Sequence, residues 1–229
     1  GGIAASVISM LLVIPLVWYG YVQVQESQER LRDANNLKQL GIAVHMYHDE
    51  RGELPGPGIK GPDGKLLLSW RVAILPYIDQ DALFRQFRLD EPWDSPHNIQ
   101  LLKEMPKTFE RPGRSTERPG WTYYQAFVGP NAIFDPRTPT RLTSVTDGTS
   151  NTLLLAEATE AVPWTKPEDL TYDPARAMPR LGDPNRQRFN VMFGDGAVKS
   201  FGKNPDPAVL RLLIDRQDGQ MVFPEVLER

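Results

Sequence analysis

Polarity along the chain changes abruptly at Glu26. The first 25 residues, GGIAASVISMLLVIPLVWYGYVQVQ, hold no charged side chain, and Ile3 to Tyr21 is almost entirely Ile, Leu, Val, Ala, Met, Trp and Tyr. That length matches the roughly 20 residues with which an α-helix crosses about 30 Å of hydrocarbon. Trp18, Tyr19 and Tyr21 stand where an interfacial aromatic belt would lie. The run therefore predicts a membrane-spanning helix. A secretory signal peptide, with its shorter apolar core of about 7–15 residues and small-residue cleavage site, competes with that reading. So does a buried core helix. Arg30, Arg32 and Lys38 follow the span but are mixed with Glu26, Glu29 and Asp33, so charge leaves its orientation open.

Beyond this run the pattern turns amphipathic. Leu37, Leu40, Val44 and Tyr47 recur at spacings of three and four, which keeps them on one side of a helix, and Gly41 lies on the same stripe, where it admits a close backbone. Arg51-Gly52 supplies a basic last turn and a left-handed cap, and Pro55 forbids continuation. One helix from Ile3 to Arg51 would measure roughly 74 Å. The expected organisation is a transmembrane half (1–25), an amphipathic half of the same helix (26–52) and a head domain (53–229).

Within the head, 56–65 reads as a loop, and Ser69 caps a short helix ended by Pro76. Asp81 opens another, through Phe87, and Asp94-Ser95-Pro96 starts a third over His97 to Glu104. Trp121 to Val128 and Thr152 to Ala156 have strand composition. Arg188 to Phe201 reads as a hairpin turning at Asp195-Gly196, with Phe189, Val191 and Phe193 inward. Asp206-Pro207 caps a last helix expected to stop near Gly219. The fold class is α+β: a long N-terminal helix on an antiparallel sheet, with helical insertions and large loops.

Several stretches carry a resemblance. NNLKQLGIAVHMYHDERGELP from Asn35, SWRVAILPYIDQ from Ser69, LDEPWDSPHN from Leu89, TDGTSNTLLLAEA from Thr146, PWTKPEDL from Pro163 and FNVMFGDGAVKSF from Phe189 resemble, in this order, a large bacterial family of uncharacterised prepilin-like proteins. The helix layout is similar to that of type IV pilins and type II secretion pseudopilins. The resemblance implies a pilin-like fold and a single-pass location in the cytoplasmic (inner) membrane, with the head on the extracytoplasmic side. It also implies contacts with other pilin-like subunits through the N-terminal helix. Asn35, Asn36, Gly41, Asp195 and Gly196 carry its signature. The sequence departs from it in places. Cutting after Gly2 would put Val7 where prepilins carry Glu, and Asn185 stands where relatives have His ten residues before Asp195-Gly196. Asp33 and Arg111 occupy positions where many relatives carry Cys, which implies an ion pair in place of a disulfide.

Composition narrows the chemistry. A net charge of −3 and a pI near 5.7 give no basic surface for nucleic acid. The absence of Cys removes disulfides, thiolate zinc sites and thiol catalysis. Pro and Gly, 21 and 18 residues, point to many turns.

Candidate sites are few. His45 and His48 are three apart on a helix but lack the third ligand of a His-Glu-x-x-His site, and His97 stands alone. Asp147 and Asn151, in TDGTSN, offer oxygen ligands without EF-hand spacing and read as a turn or a cation site. Asp195 with Glu157 or Asp147 could form a carboxylate pair, although Asp195 also suits a hairpin turn. Trp164, flanked by Pro and charges, is a candidate partner-contact aromatic or a lid over the core. No nucleophile elbow or phosphate loop is present, and no catalytic residue, metal or cofactor is expected. Two functions follow as expectations. One is a non-enzymatic, membrane-anchored pseudopilin-like structural or assembly subunit of a secretion or pilus-type system, with the bilayer as partner through Ile3 to Tyr21. The alternative is a tethered extracytoplasmic binding module for a glycan, peptide or calcium.

Overall fold

The computed structural model describes residues 2–114, 116, 118–220 and 222, with helix side chains from residue 17 onward. Helix α1 runs without interruption from Gly2 to Arg51. Gly52 ends it in the left-handed region (φ 75°), its N–H donating to the His48 carbonyl at 2.7 Å. The apolar stripe faces inward as its spacing requires: Leu37, Leu40, Ala43 and Val44 are fully buried, and Tyr47 packs edge-on against Tyr77.

A five-stranded sheet lies beneath the C-terminal half of α1. Its strands are β3 (Trp121–Val128), β4 (Leu153–Pro163), β5 (Leu170–Thr171), β6 (Arg188–Phe193) and β7 (Val198–Gly202). Their order is β5-β3-β4-β6-β7. All neighbours are antiparallel except the short parallel β3–β5 pair. A separate hairpin, β1 (Gly58–Lys60) and β2 (Leu66–Ser69), precedes it.

Both faces of the sheet are covered. Tyr124, Ala126 and Met192 share a core with Leu37, Leu40 and Val44 of α1. Phe127, Phe189, Val191 and Phe193 share another with Leu210, Leu213 and Ile214 of α4 (Pro207–Ile214). This is why β6 is buried at Asn190 and Met192 as well as at the three residues expected to point inward.

The short elements begin where their caps predict. Ser69 accepts from the Arg71 N–H at the start of α2 (Trp70–Ala73), α3 spans Asp81–Phe84, and Asp206 caps α4. Several elements differ from the sequence expectation: α3 stops at Phe84 and not at Phe87, Gly58–Lys60 pairs as a strand within the expected loop, and Pro76 lies inside a 3-10 helix over Leu75–Ile78. Residues Asn98–Glu104 form a 3-10 helix, drawn into the preceding loop by the Asn98 amide, which donates to the carbonyls of Arg88, Glu91 and Pro92. Strand β4 continues past Ala156 to Pro163, because β3 pairs with it as far as Trp121. Helix α4 stops at Ile214, not near Gly219, because the chain beyond it is engaged elsewhere: the Asp218 and Gly219 amides donate to Asp147.

Gly41 and Gly196 meet where α1 crosses the β6–β7 turn. A Cβ on Gly41 would lie 2.8 Å from Met192 Sδ and 3.3 Å from Gly196 Cα. The backbones therefore approach at a distance that a larger residue would prevent. Gly41→Val is expected to destabilise the fold by about 1–3 kcal/mol through overpacking. Gly20→Ala, whose Cβ would meet nothing within 4 Å, should be neutral or slightly stabilising. Thermal denaturation followed by circular dichroism compares the two. Equal melting temperatures would show that this crossing tolerates expansion.

Candidate functional site

The inner face of α1 carries one acid among its apolar residues. Asp33, one turn before Leu37, is buried. The Tyr124 hydroxyl donates to Asp33 Oδ1 and the Asn190 amide to Oδ2. Tyr124 comes from β3 and Asn190 from β6, so two sheet strands hold the same helix carboxylate.

Arg111 lies between Asp33 and a second buried acid. Its Nε is 3.9 Å from Asp33 Oδ1 and 3.0 Å from Glu157 Oε1, and its Nη2 donates to Glu157 Oε2 at 3.3 Å. Arg114 approaches Glu157 at 3.4 Å and Asp183 at 3.8 Å. Its guanidinium also donates to the carbonyls of Ala158 and Thr159 and sits 3.7 Å from the Tyr123 ring centroid. Arg186 continues the series, 3.8 Å from Asp183 and 2.5 Å from Glu29. Glu29 is one turn before Asp33 on α1. The series of alternating charges thus leaves the helix at Glu29 and returns to it at Asp33.

Burial pushes the Asp33 carboxyl above the usual range, against the pull of Tyr124 and Arg111. Glu157 is raised in the same way, against Arg111. The Tyr124 hydroxyl is pushed well above its ordinary value by burial and by Asp33. Asp33 and Glu157 are closed off from solvent, and the groups around them clamp α1 to the sheet.

A second buried pair supports the first. Arg71 Nη2 lies 2.7 Å from Asp169 Oδ1, and Arg71 donates through Nε and Nη2 to the Tyr124 carbonyl at 3.1 and 2.8 Å. Asp169 Oδ1 also accepts from the Trp70 indole and the Ala126 N–H. Tyr124 joins the two networks, its carbonyl serving Arg71 and its hydroxyl serving Asp33.

Above the clamp, α1 and the segment 103–123 border an open cleft of about 960 Å³. Gln25, Gln28 and Arg32 line one wall, and Lys103, Lys107 and Trp121 the other.

The sequence candidates disperse only in part. Arg111 lies 3.9 Å from Asp33, where an ion pair is expected, but its nearer acid is Glu157 at 3.0 Å. Glu157 is drawn away from the other three acidic and amide candidates, whereas Asp195 sits against the turn that holds Asp147 and Asn151, its N–H donating to the Thr149 carbonyl at 3.1 Å. Asp147 accepts from the Asp218 and Gly219 N–H groups at 2.7 and 3.0 Å, and Asn151 donates to the Asp147 carbonyl. Asp195 accepts from the Ala197 N–H inside the hairpin turn, whereas Glu157 belongs to the clamp. Trp164 is a core residue and not a partner contact. It is fully buried, stacked on Phe109, and its indole donates to the Leu102 carbonyl at 2.9 Å. Asn36 donates to the Glu110 carbonyl at 2.9 Å, and Asn35 is exposed.

His45 donates to the Gly194 carbonyl, and His48 accepts from the Leu142 N–H. His97 donates to the Gln86 carbonyl. Among the described residues no group of three or more His, Cys, Asp or Glu is placed to hold a metal ion. Sequence reading missed Glu29, Arg71, Arg114, Asp169 and Arg186. The available signal was a charge inside an apolar run, as in SWRVAIL.

Residues 30–188 match the family described as "Protein of unknown function (DUF1559)". The match contains every member of the charge series except Glu29. No curated protein and no solved structure matches the chain.

A carboxyl with a raised folded pKa binds more protons folded than unfolded. Its contribution is therefore most favourable below about pH 4 and declines as pH rises through the raised value. Arg111→Met, which removes the cation between two buried acids, is expected to cost about 3–5 kcal/mol at neutral pH and less as pH falls and the raised carboxyls take up protons. Urea denaturation of wild type and variant from pH 4 to 8 measures this. A difference independent of pH would mean that Arg111 does not compensate those carboxylates.

Proposed function

We propose that this chain, which belongs to the DUF1559 family, is a non-enzymatic, membrane-tethered head of pilin-like layout. In this reading α1 serves both as anchor and as the surface that packs against neighbouring subunits. The observation carrying the proposal is the division of α1. The helix is continuous from Gly2, yet among the described residues the first that an ion pair joins to the head is Glu29. Val17, Trp18, Tyr19, Tyr21 and Val24 lie before that point and are exposed. Apolar surface left in water costs about 25 cal/mol per Å², so this half of the helix calls for a covering medium.

Among the described residues no helix is long and apolar enough to cross a membrane. Residues 3–16, most of the stretch on which the span is expected, lie outside the described side chains. The anchor therefore rests on sequence, on 25 uncharged residues ending in an aromatic belt. The lateral contact rests on a second stripe. Val24, Leu31, Ile42 and Met46 are exposed on the side of α1 opposite Leu37, Leu40 and Val44. The closed state of Asp33 and Glu157 supports the non-enzymatic part.

The cleft favours a second reading, a tethered extracytoplasmic module that binds a ligand between α1 and the 103–123 segment. The two readings are compatible, since the clamp holds the cleft above a fixed helix.

Fractionation tests the anchor. The full chain is expected in the membrane pellet after a carbonate wash. Leu11→Arg with Leu12→Arg, at about 2.5–3.5 kcal/mol per charge in a bilayer centre, should move it to the supernatant. Pelleting of a chain lacking residues 3–21 would defeat the anchor. The chain has no cysteine, so single substitutions test the lateral contact. Leu31→Cys or Ile42→Cys should form disulfide dimers in membranes, and Lys65→Cys should not.

A further inference from the structure

We infer that the cleft between α1 and the 103–123 segment is a binding site for an oligosaccharide carrying carboxylates. The inference rests on the binding-module reading and is independent of the anchor. Three features define the ligand.

The first is unbalanced positive charge. Arg32, Lys103 and Lys107 line the cleft, and no ion pair engages any of them among the described residues. Two acids also line it: Glu29, which Arg186 holds at 2.5 Å, and Glu110. Among the described residues lining it, three cations without an ion pair therefore face one such acid around an open cleft of about 960 Å³, at the upper end of the range of about 300–1,000 Å³ in which ligand sites fall. The charges the fold needs for itself, those of Arg111 and Arg114, are spent below on Glu157.

The second is an aromatic wall. Trp121 and Tyr123 alternate with buried Thr122 on β3, so the period of two places both rings on the cleft side. Each carries a guanidinium, Arg118 at 5.0 Å and Arg114 at 3.7 Å from the ring centroid. Neither ring is needed to close the core, which Tyr124 and Phe109 fill from the same segments.

The third is a row of neutral amides. Gln25 and Gln28 face the aromatic wall from one turn of α1, each offering a donor and an acceptor. Amides suit hydroxyls, aromatic rings suit the apolar face of a pyranose, and the cations suit carboxylates. A free phosphate or sulfate would use only the cations.

Calorimetric titration of the full chain in detergent micelles tests the inference. Hexagalacturonate is expected to bind saturably, with its fully methyl-esterified form at least about tenfold weaker. Lys103→Gln with Lys107→Gln should weaken hexagalacturonate by about the same factor and leave the melting temperature unchanged, because neither side chain makes a hydrogen bond or ion pair among the described residues. Trp121→Ala should weaken the neutral and acidic forms alike, and Lys65→Gln should change nothing. Hexaglutamate bound as tightly as hexagalacturonate would overturn the saccharide assignment while leaving a binding module in place. Equal binding of inorganic sulfate would reduce the cleft to a simple anion site. Absence of saturable binding by all three probes up to about 1 mM would overturn both the inference and the reading beneath it.

Discussion

A carboxylate on the inner face of a helix is tolerated only where neighbouring groups replace the water it gives up, and Asp33 imposes that requirement on everything packed around it. Tyr124, Asn190 and Arg111 meet it from three separate segments. An apolar residue at position 33 would bind the helix to the sheet without fixing its rotation or register. The hydrogen-bonded acid fixes both, because moving it would strand a donor on β3, a donor on β6 and a cation between them. Glu29, held by Arg186 one turn earlier, adds a second point of attachment. Two points on one face of a rod determine its direction.

That direction links the two functional readings. The helix leaves the head at the clamp, and the cleft opens at the same place, between the departing turns of α1 and the segment 103–123. Arg111 and Arg114 belong to both: their charges are committed to Glu157 below, while their outer surfaces form part of the cleft lining. A shift of the helix relative to the sheet would therefore change the cleft, and a ligand wedged there would resist such a shift. In the binding-module reading, stability and recognition would share one set of arginines.

Several conspicuous motifs serve the architecture. SWR and PWTKPEDL meet as the Arg71–Asp169 pair, which pins a loop to the centre of β3. TDGTSN uses Asp147 to hold the chain after α4. The Asn98 amide organises the loop that LDEPWDSPHN forms. In each case a polar side chain satisfies backbone groups that irregular segments cannot pair among themselves. A chain with many prolines and glycines, and hence long connections, requires such side chains, which accounts for motifs rich in Asp and Asn.

The sequence by itself determined what depends on neighbours along the chain. Apolar spacing located the inner face of α1 at Leu37, Leu40 and Val44. Gly52 and Pro55 marked its end, Ser69 and Asp206 marked helix starts, and Asp195-Gly196 marked the hairpin. These are local consequences of backbone geometry and capping. Of the candidate site, only the proximity of Asp33 and Arg111 was anticipated, and it was implied by the family resemblance, in which many relatives carry Cys at both positions. Tertiary structure decided the rest. It placed Glu157 beside Arg111 across 46 residues and brought Glu29 to Arg186 across 157. It sent Trp164 into the core and Glu157 into the clamp, and it set Asp195 against the turn that holds Asp147 and Asn151. The physical reason is that a charge's role depends on which opposite charge and how much water it meets, and both are set by segments distant in sequence. Periodicity records only that a residue faces inward, not what awaits it there.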